Sequence, residues 1–339
     1  MRKPKFLSPS SKSRWQSNRT GFYLKYLADV KQPREPQAIY MGVGSGFDAR
    51  VKSEIMTRTL GTSLVAGSKY HFETLFEAQV EHYHRDRALK ISTAIWDAYV
   101  ASGTFEALWK DVERSPKPPL MEEKVENEVA GVPLLGLPDL VYVDADSLLD
   151  VVNDWKIMGS SPEGSGASPA QGYMIVRDGW DGKHSPQNMK PHKKHEDLEW
   201  PVDHTVGRMT IGKSYLEDFN LDWADQMSTY AWLLGHKVAS EDFIVRVEQA
   251  ACRYPKGGLK VKFSTHMNRV SASYQLGLIK VYKSIWKAIT NEHIFEHLPK
   301  EKSIARCEVL ELQAAYPKGV HKALRGMGQD TGNFWARTG

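Results

Sequence analysis

Three residues between Leu134 and Ile157 could do chemistry together: Asp139, Asp154 and Lys156. Asp139 follows Gly136-Leu137-Pro138, and Asp154-Trp155-Lys156 follows Val151-Val152-Asn153. In an extended strand residues two apart share a face, so Asp154 and Lys156 point the same way. A neighbouring strand can bring Asp139 to that face as a second carboxylate. Two carboxylates converging at a sheet end form a hard-oxygen site suited to Mg2+ or Mn2+. A lysine beside them can orient or deprotonate water and stabilise charge on a phosphate. Metal-assisted phosphodiester hydrolysis is the chemistry these residue types support. A lone Asp-x-Lys usually decorates a hairpin end, but here Leu148 to Val152 reads as buried strand, so the trio closes a buried element.

The elements that must position the trio follow from period and punctuation. Ser8-Pro9-Ser10-Ser11 is a helix N-cap leading into an amphipathic stretch through Trp15, Phe22, Leu24 and Leu27. Gly42-Val43-Gly44-Ser45-Gly46 reads as a turn feeding a helix from Phe47 to about Leu60. Tyr70 to Trp109 predicts one or two helices broken near Gly103, and Pro116, Pro118 and Pro119 end that region. The period then becomes two. Lys124–Val129, Leu134–Val143 and Leu148–Ile157 are expected strands of an antiparallel meander, with a turn at Gly131-Val132-Pro133. Residues 159–213, rich in Gly, Pro, Ser, His and Lys, read as a long loop. A helix over Leu221–Leu234, strands over Phe243–Ala251 and Leu259–Phe263, and a helix over Ser271–Thr290 follow. The expected fold class is α/β, a central mixed sheet with an antiparallel meander flanked by helices. The expected organisation is a basic N-terminal arm and helix (1–30), one domain with a loop insertion (31–300), and a C-terminal extension (301–339).

Composition narrows the function classes. The 339 residues are 41% hydrophobic and 25% charged, which excludes a disordered, collagenous or coiled-coil chain. No run approaches the roughly 18 consecutive apolar residues of a membrane span. No apolar signal core follows Met1-Arg2-Lys3-Pro4-Lys5, so a cytoplasmic location is expected. Cys252 and Cys307 lie far apart with no C-x-x-C pair, which argues against a zinc knuckle or a four-cysteine iron–sulfur cluster. The formal net charge is only +4, but its distribution is uneven. Met1 to Ala28 carries no acidic residue, and neither does Gln249 to Asn291. The second run holds Arg253, Lys256, Lys260 and Lys262 interleaved with Tyr254, Phe263, Tyr274, Tyr282 and Trp286. Such a surface suits a phosphate backbone and stacked bases, and equally a solvated face over inward-pointing aromatics.

Pro138-Asp139, a spacer, then Asp154-Trp155-Lys156 resembles the PD-(D/E)xK nuclease signature. Asp225-Gln226-Met227-Ser228-Thr229-Tyr230-Ala231 is similar to the downstream Q-x-x-x-Y helix of its RecB-like and phage exonuclease branch. Gln226 and Tyr230, four apart, share one helix face. The N-terminal helix resembles the opening of such domains, and the element order matches from Ser8 to about Thr290. The resemblance implies a restriction-endonuclease-like core and a Mg2+- or Mn2+-dependent DNA exonuclease, in the cytoplasm of a bacterial host if phage-encoded. It implies Asp139, Asp154 and the backbone carbonyl of Trp155 as metal ligands, with Lys156 as the water-positioning and charge-stabilising group. Gln226 and Tyr230 would line the site, and Arg253, Lys256, Lys260 and Lys262 would track the DNA backbone. The implied partners are DNA and a single-strand annealing or recombination protein, and a homo-oligomer is compatible with it. With no Walker A loop, no nucleotide cofactor is expected.

One position departs from the pattern. Gly44-Ser45-Gly46-Phe47-Asp48 carries Asp48 where many RecB-like members place a metal-binding histidine. Asp48 is then either a ligand or a residue favoured by a helix N-terminus. Glu73, Glu77 and Glu81 are alternative counterparts of the helical glutamate used by some phage exonucleases. A structure-specific endonuclease and a catalytically silent DNA-binding module remain rival readings. His184, His192, His195 and His204 show no diagnostic zinc spacing.

Overall fold

The structure is a computed structural model that describes residues 2–30, 36–161, 215–218, 220–254 and 258–291. The chain divides into two compact units. The first comprises Met1–Pro36, Glu126–Gly136 and Gly277–Gly339, and the second Gln37–Val125 and Leu137–Leu276.

In the first unit, Ser8 caps helix α1 (Pro9–Ser17) through a reciprocal pair with Ser11. Each serine hydroxyl accepts the other's backbone N–H, which satisfies two of the donors a helix start leaves free. A short helix α2 (Arg19–Phe22) runs into a π-helical turn, Tyr23–Leu27. Strands β1 (Val125–Val129) and β2 (Val132–Gly136) form a two-stranded sheet. Their turn is Ala130-Gly131, with φ of 52° and 84°. Positive φ at both central residues matches the right-handed twist of a hairpin. The turn therefore falls one residue earlier than expected, and Val132 and Pro133 belong to β2.

The second unit is built on a four-stranded sheet ordered β3-β4-β5-β6. Its strands are β3 (Leu140–Val143), β4 (Asp150–Met158), β5 (Phe243–Arg253) and β6 (Lys260–Asn268). The β3–β4 and β5–β6 pairs are antiparallel and β4–β5 is parallel, so the sheet is mixed. The expected three-strand meander is corrected, because β1 and β2 form their own sheet. Pro138 lies between β2 and β3, and a residue with no N–H cannot carry a ladder through.

Helices α3 (Ile39–Leu60), α4 (Phe72–Gln79), α5 (Arg85–Ala101) and α6 (Thr104–Glu113) precede the sheet in the chain. Helix α7 (Leu221–Leu233) enters β5, and α8 (Ala272–Thr290) follows β6. One core cluster joins Phe47, Ile55, Tyr99, Phe105, Trp155 and Phe263. The architecture is mixed α/β, a mixed sheet flanked by helices.

The Gly42–Gly46 run is not the expected turn: it lies inside α3. A Cβ on Gly46 would stand 2.8 Å from Ser92 Oγ and 3.0 Å from Phe76 Cε2. The glycine is there to let α3 approach α4 and α5 closely, and that packing overrides its poor intrinsic helix propensity.

The sheet face packed on α3 and α5 also buries charge. Arg246 donates to Asp111 Oδ2 at 2.6 Å, to Glu248 Oε1 at 2.8 Å and to the Tyr142 hydroxyl at 3.1 Å. The Tyr99 hydroxyl donates to the other oxygen of Glu248. Arg246 and Glu248 are each 2% exposed, so removing one partner strands the other in a dry interior. Arg246→Met is expected to lower the unfolding free energy by about 3–5 kcal/mol in urea denaturation. Arg114→Ala, which breaks the exposed pair with Asp146, should cost no more than about 1 kcal/mol.

Candidate active site

The antiparallel ladder ends where Leu140 pairs with Asn153, and Asp139, in the bend just before it, adjoins Asp154. Alternation gives Asp154 and Lys156 one face of the sheet, where Asp139 meets Asp154. The backbone N–H of Trp155 points at Asp139 Oδ2, 3.5 Å away. A strand residue's N–H and C=O lie on the same side, so the Trp155 carbonyl faces the Asp139 edge as well.

Helix α7 closes this face. Its Asn220 cap accepts the N–H of Trp223 and starts the helix in a register that turns Gln226 and Tyr230 toward β4. Lys156 forms an ion pair with Asp154 and donates to Gln226 Oε1 at 2.8 Å. Gln226 Nε2 donates to Asp154 Oδ1 at 2.9 Å and to the Tyr230 hydroxyl at 3.0 Å. This amide orientation sets its oxygen on the ammonium and its nitrogen on the carboxylate. Asp139, Asp154, Lys156, Gln226 and Tyr230, chosen from sequence, are thus gathered where the start of β3 meets the second half of β4.

Helix α3 brings a second group of charges. Asp48 and Lys52, one turn apart, share a face. The Lys52 side chain is 1% exposed, and its Nζ lies 2.6 Å from Asp48, 2.9 Å from Glu122 and 3.5 Å from Asp139. Glu122 has φ of 48°, a left-handed conformation that costs a non-glycine residue energy. Gln79 donates to Glu122 Oε1 at 2.6 Å. Two acceptors of this group, Asp48 Oδ1 and Gln79 Oε1, are buried and receive no hydrogen bond.

Four carboxylates (Asp48, Glu122, Asp139 and Asp154) thus face two ammonium groups, Lys52 and Lys156. Burial pushes the Asp48 carboxyl up to about 8, against the pull of Lys52 and with a further push from Asp139. Burial likewise pushes Asp154 up to about 7, opposed by Lys156 and reinforced by Asp139. For Lys52 burial acts to lower the pKa, but Asp139, Asp48 and Glu122 together outweigh it and hold the ammonium above its ordinary value. Burial beside Asp154 and Asp139 raises the Tyr230 phenol, which stays protonated.

This donor set fits a hard divalent cation in chemistry. All four carboxylates are oxygen ligands, an ion bound among them would favour their ionised forms, and a buried Asp48 oxygen lacks a donor. Their present spacing is another matter. Among the described residues no three His, Cys, Asp or Glu side chains gather into a metal site, and Lys52 Nζ takes the point between Asp48, Glu122 and Asp139.

Sequence reasoning missed Lys52, Glu122 and Gln79. The Asp48/Lys52 spacing was a usable signal, whereas Glu122 follows the proline-rich stretch with no local mark. Glu73 and Glu77 have side chains 67% and 64% exposed and pair with His71 and Arg85. Glu81 accepts from the Tyr83 hydroxyl. Of the proposed DNA-backbone residues, Arg253 and Lys260 are cross-strand partners at the β5–β6 end and Lys262 pairs with Ala251. Lys260 is exposed. Lys256 and the four histidines His184, His192, His195 and His204 lie outside the described residues, as does most of 159–213. No helix among the described residues is long and apolar enough to cross a membrane.

No family model matches the chain, and no curated protein matches it. Among solved structures, the crystal structure of SSO0001 is similar at 12% identity, over 80% of this chain and 88% of its own, with a TM-score of 0.23. A likeness that weak carries no argument.

The raised Asp154 pKa has a direct consequence for stability. A folded-state pKa near 7, above the unfolded value near 4, means that the native state binds the extra proton between those limits. Stability is then lost as pH rises through that window. In the presence of a chelator, the stability of Asp154→Asn relative to the parent should rise by roughly 1–3 kcal/mol from pH 5 to pH 8. Chemical denaturation at the two pH values reads the difference.

Proposed function

We propose that the protein is a metal-dependent deoxyribonuclease of the PD-(D/E)xK type, an exonuclease of the phage kind, acting in DNA recombination, replication or repair. One observation carries the reading. Asp139, in the bend just before β3, adjoins Asp154 of β4, and Lys156 and Gln226 are tied to Asp154. The residue order, Pro138-Asp139, then Asp154-Trp155-Lys156, then Gln226 and Tyr230, supports the restriction-endonuclease-like core, as does the mixed sheet.

Asp139 and Asp154, with Asp48 and the Trp155 carbonyl, would hold Mg2+ or Mn2+. Bound there, the ion would polarise a phosphoryl oxygen and neutralise charge developing at phosphorus. The remaining work falls to the chain's own residues. Lys156 orients the attacking water and stabilises the negative charge of the transition state. Gln226 fixes the lysine and the carboxylate relative to each other. The protonated Tyr230 hydroxyl holds Gln226 in that orientation. Arg253, Lys256, Lys260 and Lys262 supply sequence-independent attraction to phosphates, which makes binding fall with salt.

A second reading, a catalytically silent DNA-binding module, draws on the Lys52 ammonium among three carboxylates, where an active site would need an ion. Cleavage separates the two. End-labelled linear duplex and closed circular DNA are incubated with Mg2+ or Mn2+, with Asp154→Ala and Lys156→Ala run alongside. Loss of the linear substrate alone is expected, slowed at least about 100-fold in each variant. Nicking of the circle would convert the assignment to an endonuclease. DNA binding without cleavage of either substrate would leave the silent module.

A further inference from the structure

The Lys52 ammonium is 1% exposed and places one proton donor toward each of Asp48, Glu122 and Asp139. Three carboxylates that close together cannot all stay ionised in a protein interior without a cation among them. Lys52 is that cation. Two of its partners are bound through hydrogen bonds of 2.6 and 2.9 Å, while the contact with Asp139 is the long one at 3.5 Å. Asp139 is also the carboxylate beside Asp154, so the weakest contact of the ammonium is with the residue shared by both charge groups.

We infer that Lys52 is a built-in counter-ion that competes with a divalent cation for Asp48, Glu122 and Asp139, so that the metal is bound only as Nζ withdraws. The inference rests on the metal-dependent reading and adds to it a residue that sets the metal affinity. Several features suit lysine to this role. Its charge is a compact point on a four-carbon flexible stem, so the ammonium can leave by rotamer changes while α3 stays in place. Asp48, one turn away on the same helix, keeps an oxygen free of hydrogen bonds on which an ion can land. While no metal is present, Lys52 prevents mutual repulsion of the carboxylates from opening the contacts among α3, β3 and the Glu122 segment. In exchange the metal site is weakened, because the incoming ion must displace a charge already satisfied there. A purely structural ion pair would stabilise the fold equally and leave metal affinity unaffected.

The test measures Mn2+ binding by calorimetry and by the loss of the free-ion paramagnetic resonance signal, with no DNA present. It uses the full chain, Lys52→Met, Lys52→Arg, Asp139→Asn and the double variant Lys52→Met/Asp139→Asn. Lys52→Met keeps the length of the side chain without its charge, and should bind Mn2+ at least about 10-fold more tightly than the parent. Lys52→Arg retains a fixed charge and should bind no more tightly than the parent. The gain should vanish in the double variant. Melting temperature provides the second readout: metal-free Lys52→Met should melt below the parent and be restored by Mn2+.

Equal affinity of the parent and Lys52→Met, with binding still lost in Asp139→Asn, would overturn the inference while sparing the nuclease reading. Tight binding by Lys52→Met with none by the parent would support the counter-ion role and remove the metal-dependent activity. No binding by any variant, or a destabilised Lys52→Met that Mn2+ does not restore, would overturn the inference.

Discussion

A buried ammonium surrounded by carboxylates is the constraint on which this site depends. Lys52 is 1% exposed, and carboxylates within 3.5 Å of it come from α3, from the segment before β1 and from the start of β3. Placing four carboxylates and two lysines at one sheet end is costly, because desolvation penalises every charge. The arrangement persists because each charge has a partner within reach. Gly46 lets α3 lie close to α4 and α5, Glu122 adopts a left-handed backbone, and the bend before β3 brings Asp139 next to Asp154. Moving any of these would leave an ion without its partner.

Two groups of buried charge are handled differently. On the α3 and α5 side, Arg246, Glu248, Asp111, Tyr142 and Tyr99 form a connected network in which the guanidinium donates to three partners. Planar, always charged and nearly inaccessible, that guanidinium acts as a permanent strut. Around Asp139 the charges do not balance. Asp48 of α3 and Asp154 of β4 are pushed upward by burial, and an Asp48 oxygen has no donor. A closed network holds the sheet in shape, while an open one leaves chemical capacity unspent, as expected where function and stability pull apart.

Gln226 links the helical and strand parts of the site. A strand can present Asp154 and Lys156 together, but their relative orientation depends on what lies above them. The amide of Gln226 accepts from one, donates to the other and donates again to Tyr230. Helix α7 is buried over most of its surface, which limits how far that amide can move. The positioning of the lysine thus derives from helix packing rather than from the β4 strand alone.

Much of this was legible in the residues themselves. Alternation in Asp150–Met158 puts Asp154 and Lys156 on one face, and a spacing of four does the same for Gln226 and Tyr230, because these periods are properties of the local backbone. The Ser8 cap and the ends of α7 and α8 also follow from local rules. Tertiary structure decided what depends on residues distant in sequence. Gly42–Gly46 is helical because of what α3 packs against, and β1 and β2 leave the main sheet because Pro138 interrupts the ladder. Lys52 and Glu122, 70 residues apart, meet only in the folded chain. No local period connects them, because an ion pair is fixed by distance in space and by the exclusion of water around it.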